Sequence, residues 1–133
     1  MNRETIREKT MQMIYQMEIT GNFDYESLNI IAEDMNILGK KQAVEMLVAV
    51  REYISDIDTK IEANLDNWAF GRISKTDLAI LRTAVCEMMY MDSIPRAVSI
   101  NEAVKLSKKY GDEKSYKFVN SVLAKIDRDL SAD

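Results

Sequence analysis

Between Arg96 and Lys117 the chain carries Arg96, Lys105, Lys108, Lys109, Lys114 and Lys117 against Glu102, Asp112 and Glu113, and it sets Tyr116 and Phe118 among the last of these lysines. Ammonium groups attract phosphates, and a flat ring offers its face to an unpaired base. Together they equip a surface to grip single-stranded RNA. The plainer reading of the same residues makes Phe118 a core side chain and the lysines an ordinary solvated face. The patch is local, because a chain of net charge −4 does not attract a polyanion over its whole surface.

Other chemistries lack their materials. There is no histidine, the usual proton carrier near neutral pH and the commonest metal ligand. The glycines stand singly, with no phosphate loop of the Walker type and no dinucleotide fingerprint. Asp56 and Asp58 do not share a helical face and read as solvated surface, not as a general acid and base. Cys86 is the one cysteine; it lies beside the apolar stripe of its helix with no basic neighbour to lower its pKa, which makes it a packing residue. A binding protein is expected, not an enzyme, with no cofactor and no metal.

A lone cysteine also points to a reducing compartment. Asn2, Arg3 and Glu4 open the chain without the apolar core of a secretion signal, and no apolar run approaches the span of a bilayer. A soluble, cytoplasmic protein is the expectation.

The elements that must position the patch are helices. One proline and four glycines leave little material for many short turns. Ile6, Met13, Ile14 and Met17 form one stripe from Arg3 to Thr20, stopped by Gly21-Asn22. Asp24 is a candidate N-cap for an acidic second helix through Leu28, Ile31 and Met35, carrying Glu26, Glu33 and Asp34 and ending near Gly39. Val44, Leu47, Ile54, Ile57, Ile61 and Leu65 predict one long helix, straight or bent, from Lys41 to about Asn67. Ser74-Lys75-Thr76-Asp77 has the form of a capping box, with Ile73 and Leu78 as its hydrophobic staple. Leu81, Val85, Met88 and Met89 continue that helix, and Pro95 marks the next connection. A second box, Ser99-Ile100-Asn101-Glu102, predicts a helix running to Tyr110, with Gly111 after it. The last helix starts between Asp112 and Ser115 and buries Phe118, Val119, Val122, Leu123 and Ile126, with residues 127–133 fraying. Without repeats or flexible linkers, residues 1–133 are expected to form one all-α domain, a bundle of about six or seven helices.

Several of these segments coincide with a known pattern. Leu81-Arg82-x-Ala84-x-x-Glu87, then Pro95, then Ser99-Ile100-Asn101-Glu102-Ala103-Val104 and Lys117-Phe118-Val119-Asn120-x-Val122-Leu123 resemble the NusB family in order and spacing. The first helix adds Arg7, Glu8, Gln12 and the Ile14-Tyr15 pair. The resemblance implies an all-helical domain that binds boxA-type RNA together with NusE, a small-subunit ribosomal protein, as part of the transcription elongation complex, and so supports processive transcription of rRNA operons. It assigns RNA binding to Arg3, Arg7, Gln12, Lys114, Lys117 and Phe118, and the protein-partner surface to Tyr15 and Asp77. Some family members form homodimers, which leaves that state open here.

Each transferred role has a structural alternative. Tyr15 is also a half-buried packing residue by type, and Asp77 already serves the capping box. Arg82 and Asn120 read as buried polar scaffolding. Arg3 and Arg7 alternate with Glu4 and Glu8 where the family has an arginine-rich start, so a shallow salt dependence is expected of any RNA binding. A second functional reading keeps the fold as a protein-interaction module with weak or lost RNA binding. A third, an RNA methyltransferase fusion, lacks a nucleotide-binding segment.

Overall fold

A computed structural model describes residues 1–28, 33, 36, 37 and 39–132. Five α-helices appear among them: α1 (Arg3–Thr20), α2 (Lys41–Glu62), α3 (Lys75–Tyr90), α4 (Arg96–Tyr110) and α5 (Glu113–Ser131). That is slightly fewer than the six or seven expected; single 3-10 turns stand at Tyr25–Leu28 and Phe70–Arg72, and no strand occurs among the described residues. The acidic second helix foreseen from Asp24 to Gly39 falls largely outside the described residues.

α1 begins where the Asn2 side chain accepts from Thr5 N–H at 2.8 Å. It ends where Gly21 takes a left-handed φ of 69°, so that Gly21 and Asn22 N–H reach back to the Glu18 and Met17 carbonyls. α2 stops at Glu62, earlier than its apolar pattern suggested, and it is bent at Tyr53, whose φ of −119° and ψ of 18° leave the helical region. Ser74 caps α3 as its sequence implied, accepting from Asp77 N–H at 3.1 Å.

α3 is the central rod. Every residue from Asp77 to Met88 is buried, because α3 packs against each of the other four helices. Such a helix has no solvated face, so its polar members must find partners inside. Arg82 does so in the manner expected of scaffolding: its Nε and Nη2 donate to the two Asp58 oxygens at 2.9 and 2.8 Å, and its Nη1 to Glu18 at 2.7 Å. Three helices are thereby clamped at one guanidinium.

The start of α4 differs from the second capping box. The helix opens at Arg96 behind Pro95, without a side-chain cap. Ser99 is 1% exposed and its hydroxyl donates to Glu87 Oε1 at 2.8 Å instead of serving the backbone. A buried carboxylate needing a donor outweighs a cap that water could replace. α5 opens as expected, with Asp112 accepting from Ser115 N–H at 2.9 Å. It remains helical to Ser131, through most of the stretch expected to fray. Arg96 ties that end to α4 through Asp127 at 2.5 Å and Ser131 at 2.7 Å.

Candidate nucleic-acid interface

The first turns of α5 bring Lys114, Lys117 and Phe118 to one place. Residues four apart stack on a helix surface, so Lys114 lies one turn before Phe118, with Lys117 beside it. Both lysines are exposed. Lys117 pairs with Glu113 at 2.9 Å, whereas Lys114 has no carboxylate within ion-pair distance among the described residues. Phe118 is half-buried against the core, and its ring centroid lies 6.0 Å from that of Trp68 at an interplanar angle of 46°. Phe118 thus serves packing and surface together.

Tyr116 does not join it. Because α5 already begins at Glu113, Tyr116 and Phe118 are helical neighbours two apart, roughly 200° round the axis. The Tyr116 ring instead faces α4, with Lys108 Nζ 4.9 Å from its centroid. The two rings set among these lysines are thus two separate aromatic positions on one helix.

The neighbouring lysines are also partly neutralised. Lys105 pairs with Glu102 at 3.3 Å and Lys109 with Glu8 at 2.7 Å. Burial pushes the Glu8 carboxyl upward, but hydrogen bonds from Lys109 and the Tyr110 hydroxyl hold it below its ordinary value. Gln12 Nε2 donates to the same Tyr110 hydroxyl at 2.9 Å, so the polar face of α1 is fastened to the end of α4.

On α1, Arg3 is exposed at the first turn. Arg7, one turn on, is held differently. Its side chain is 7% exposed and its Nε lies 2.7 Å from Glu87 Oε2, on a glutamate side chain that is fully buried. A guanidinium engaged through Nε in that way positions α1 on α3, and Arg7 lines a hollow together with Arg3.

The two residues assigned to a protein partner lie near each other. Tyr15 lines a hollow of about 270 Å³ with Met11, Gln12, Gln16, Thr76 and Tyr110. Asp77 follows Thr76 and is 9% exposed. Burial raises its carboxyl above the ordinary aspartate value, against the lowering effect of Ser74 and Ser115. Tyr110, which ends α4, completes the hollow on the side of the α4–α5 connection.

Two positions stand apart from their sequence reading. Asn120, read as buried scaffolding, is exposed, being one turn beyond Lys117 on the solvated side of α5. Trp68 and Tyr110 carry surface aromatic area that patterning missed, at 49% and 40% exposure. Their only sequence signal is an aromatic placed outside any apolar stripe. Cys86 behaves as read: its Sγ lies 3.8 Å from the Met46 carbonyl, and burial with the Glu87 charge pushes the thiol up to about 12. Among the described residues no group of His, Cys, Asp or Glu could hold a metal ion, and no helix is long and apolar enough to cross a membrane.

Residues 4–128 match the family model described as the NusB family. The chain belongs to the NusB family. It is 39% identical over 130 residues to the transcription antitermination protein NusB of Finegoldia magna, covering 95% of this chain and 93% of that one. The corresponding protein of Listeria innocua is 41% identical over 126 residues, covering 95% and 96%. Among solved structures, NusB in a crystal structure of the antitermination factors NusB and NusE in complex with dsRNA superposes with a TM-score of 0.82 at 29% identity, covering 93% of this chain and 94% of that one. NusB of T. maritima gives 0.80 at 32% identity, covering 95% and 90%. The similarity to NusB structures thus runs through all five helices.

Proposed function

We propose that this chain is a bacterial transcription antitermination factor that binds boxA-type RNA together with the ribosomal protein NusE. In this reading it is a cytoplasmic adaptor without catalytic activity, joining nascent RNA to a protein partner in the elongation complex. The observation that carries the reading is the likeness in fold and sequence to NusB in a solved complex with NusE and RNA. The RNA in that complex is double-stranded; preference for an unpaired strand rests on the half-exposed aromatic positions beside lysine.

In this assignment Lys114, Lys117 and Phe118 form the centre of the RNA site and Arg3 and Gln12 flank it from α1. Arg7 supports the site by fixing α1 on α3. Tyr15 and Asp77, around the hollow that Tyr110 completes, form the NusE side. Residues 1–133 act as one domain.

The neutralised lysines favour a second reading, a protein-interaction module with weak RNA affinity, because Lys105, Lys109 and Lys117 all have carboxylate partners within 3.3 Å. Titration of boxA-type RNA with the protein plus NusE separates the two. The first reading expects tighter binding than to a scrambled RNA at moderate salt. Equal binding to both RNAs, with NusE bound regardless, would leave only the second.

A further inference from the structure

We infer that Trp68 provides a second base-stacking surface in the RNA site, taking an unpaired nucleobase next to Phe118. The inference rests on the reading of the α5 corner as an RNA site.

The segment after α2 is laid along α5 in antiparallel register. Asn64 Nδ2 donates to Asp129 Oδ2 at 3.0 Å, Asp66 pairs with Lys125, and Trp68 meets Phe118. Each step forward in the segment is a step back along α5, toward Lys117 and Lys114. Asn67, immediately before the tryptophan, turns the chain with a left-handed φ of 54°, which asparagine adopts more readily than other non-glycine residues. The run of three contacts sets the indole against the first turns of α5.

Its environment is unusual for a tryptophan. Indoles carry a large apolar area and are normally mostly covered, yet Trp68 is 49% exposed. The tilted contact with Phe118, at 6.0 Å and 46°, is not a face-to-face stack, so the neighbour supports the indole without covering it. Aromatic area beside ammonium groups is the arrangement that binds bases and phosphates of one strand together. A protein partner would take the same aromatic area, but Lys114, exposed one turn before Phe118 and without a carboxylate in ion-pair distance among the described residues, favours a polyanion.

Trp68 is the one tryptophan of the chain, so its emission reports this position alone. Labelled boxA-type RNA is titrated with the protein in the presence of NusE, reading the anisotropy of the label for binding. Tryptophan emission is read in parallel with unlabelled RNA, correcting for NusE. Binding should quench the indole. Trp68→Ala should weaken RNA binding roughly five- to hundredfold, and Trp68→Phe should restore most of the affinity, with thermal melting as a control of folding. Binding by anisotropy with unchanged emission and unchanged affinity of Trp68→Ala would overturn the inference and leave the RNA site intact. Quenching by NusE alone, with nothing added by RNA, would overturn it in favour of a protein contact. Absence of RNA binding by the unaltered protein would instead remove the parent reading, and this inference with it.

Discussion

Arg7 Nε lies 2.7 Å from Glu87 Oε2, with both side chains withdrawn from water. The pair joins α1 to α3, and the other Glu87 oxygen accepts from Ser99 of α4 at 2.8 Å. Three helices therefore meet at one carboxylate, on the side of α1 opposite its solvated polar residues. A buried ion pair gains little over an apolar contact of the same size, but it penalises the loss of either partner. Its service is to fix which face of α1 points outward, and thus where Arg3 and Gln12 stand.

Arg7→Ala is predicted to lower unfolding free energy by about 3–5 kcal/mol, since it leaves Glu87 buried without its counter-charge. The combined change Arg7→Met, Glu87→Met and Ser99→Ala, which removes the buried donor together with its acceptor, should recover most of that loss. Urea unfolding measures both. A stable Arg7→Ala protein with selectively reduced RNA affinity would show that Arg7 is a direct RNA contact after all.

Glu18 gives stability a defined pH dependence. Burial pushes its carboxyl upward, but hydrogen bonds from Arg82 and Lys75 hold it below 4.5. A carboxyl whose folded pKa is depressed contributes stability above its unfolded value and loses it as pH falls through the folded one. Glu18→Gln should therefore reduce the urea midpoint at neutral pH and flatten the decline on acidification. An unchanged acid limb would count against the clamp at Arg82.

Asp77 has the opposite sign. Its raised pKa means that the ionised carboxyl is disfavoured by folding, so its contribution to stability is present below the unfolded pKa and lost as pH rises through the folded value. Asp77→Asn is expected to melt no lower than the unaltered protein at neutral pH, with any advantage vanishing in acid. NusE affinity of the same variant should fall if Asp77 faces that partner. A variant that is less stable at neutral pH and regains parity in acid would contradict the assignment.

Much of this arrangement was legible in the residues, and the exceptions share a cause. Helix α1, its stop at Gly21 and the Ser74 cap depend on side chains within a few positions of one another, which a sequence displays directly. The burial of Arg7 and Ser99 was not legible because their common partner, Glu87, is eighty positions from one and twelve from the other. An arginine on an amphipathic helix looks solvated until a buried carboxylate elsewhere claims it. The separation of Tyr116 from Phe118 was already implied by a last helix starting between Asp112 and Ser115, since a spacing of two turns the rings to different sides. Trp68 escaped notice because its place along α5 is set by Asn64 and Asp66 pairing with the far half of that helix.

Phe118 and Lys114 separate stacking from charge. Phe118→Ala should weaken RNA binding by about 1–3 kcal/mol, while Phe118→Leu keeps the apolar packing and tests the ring alone. Lys114→Ala should instead lower the logarithmic salt slope by about 0.7, the contribution of one phosphate contact to a single strand. If Phe118→Leu binds RNA normally, the ring is core and not a platform.

The central claim is that RNA is held at the junction of α4 and α5, at a small cationic corner of an acidic bundle. Photo-cross-linking of boxA-type RNA to the protein in the presence of NusE, followed by identification of the linked peptides, tests it most directly. Adducts are expected within residues 114–118, with flanking adducts on the first turns of α1. Adducts confined to other faces, with that stretch unmodified while NusE is bound, would contradict it.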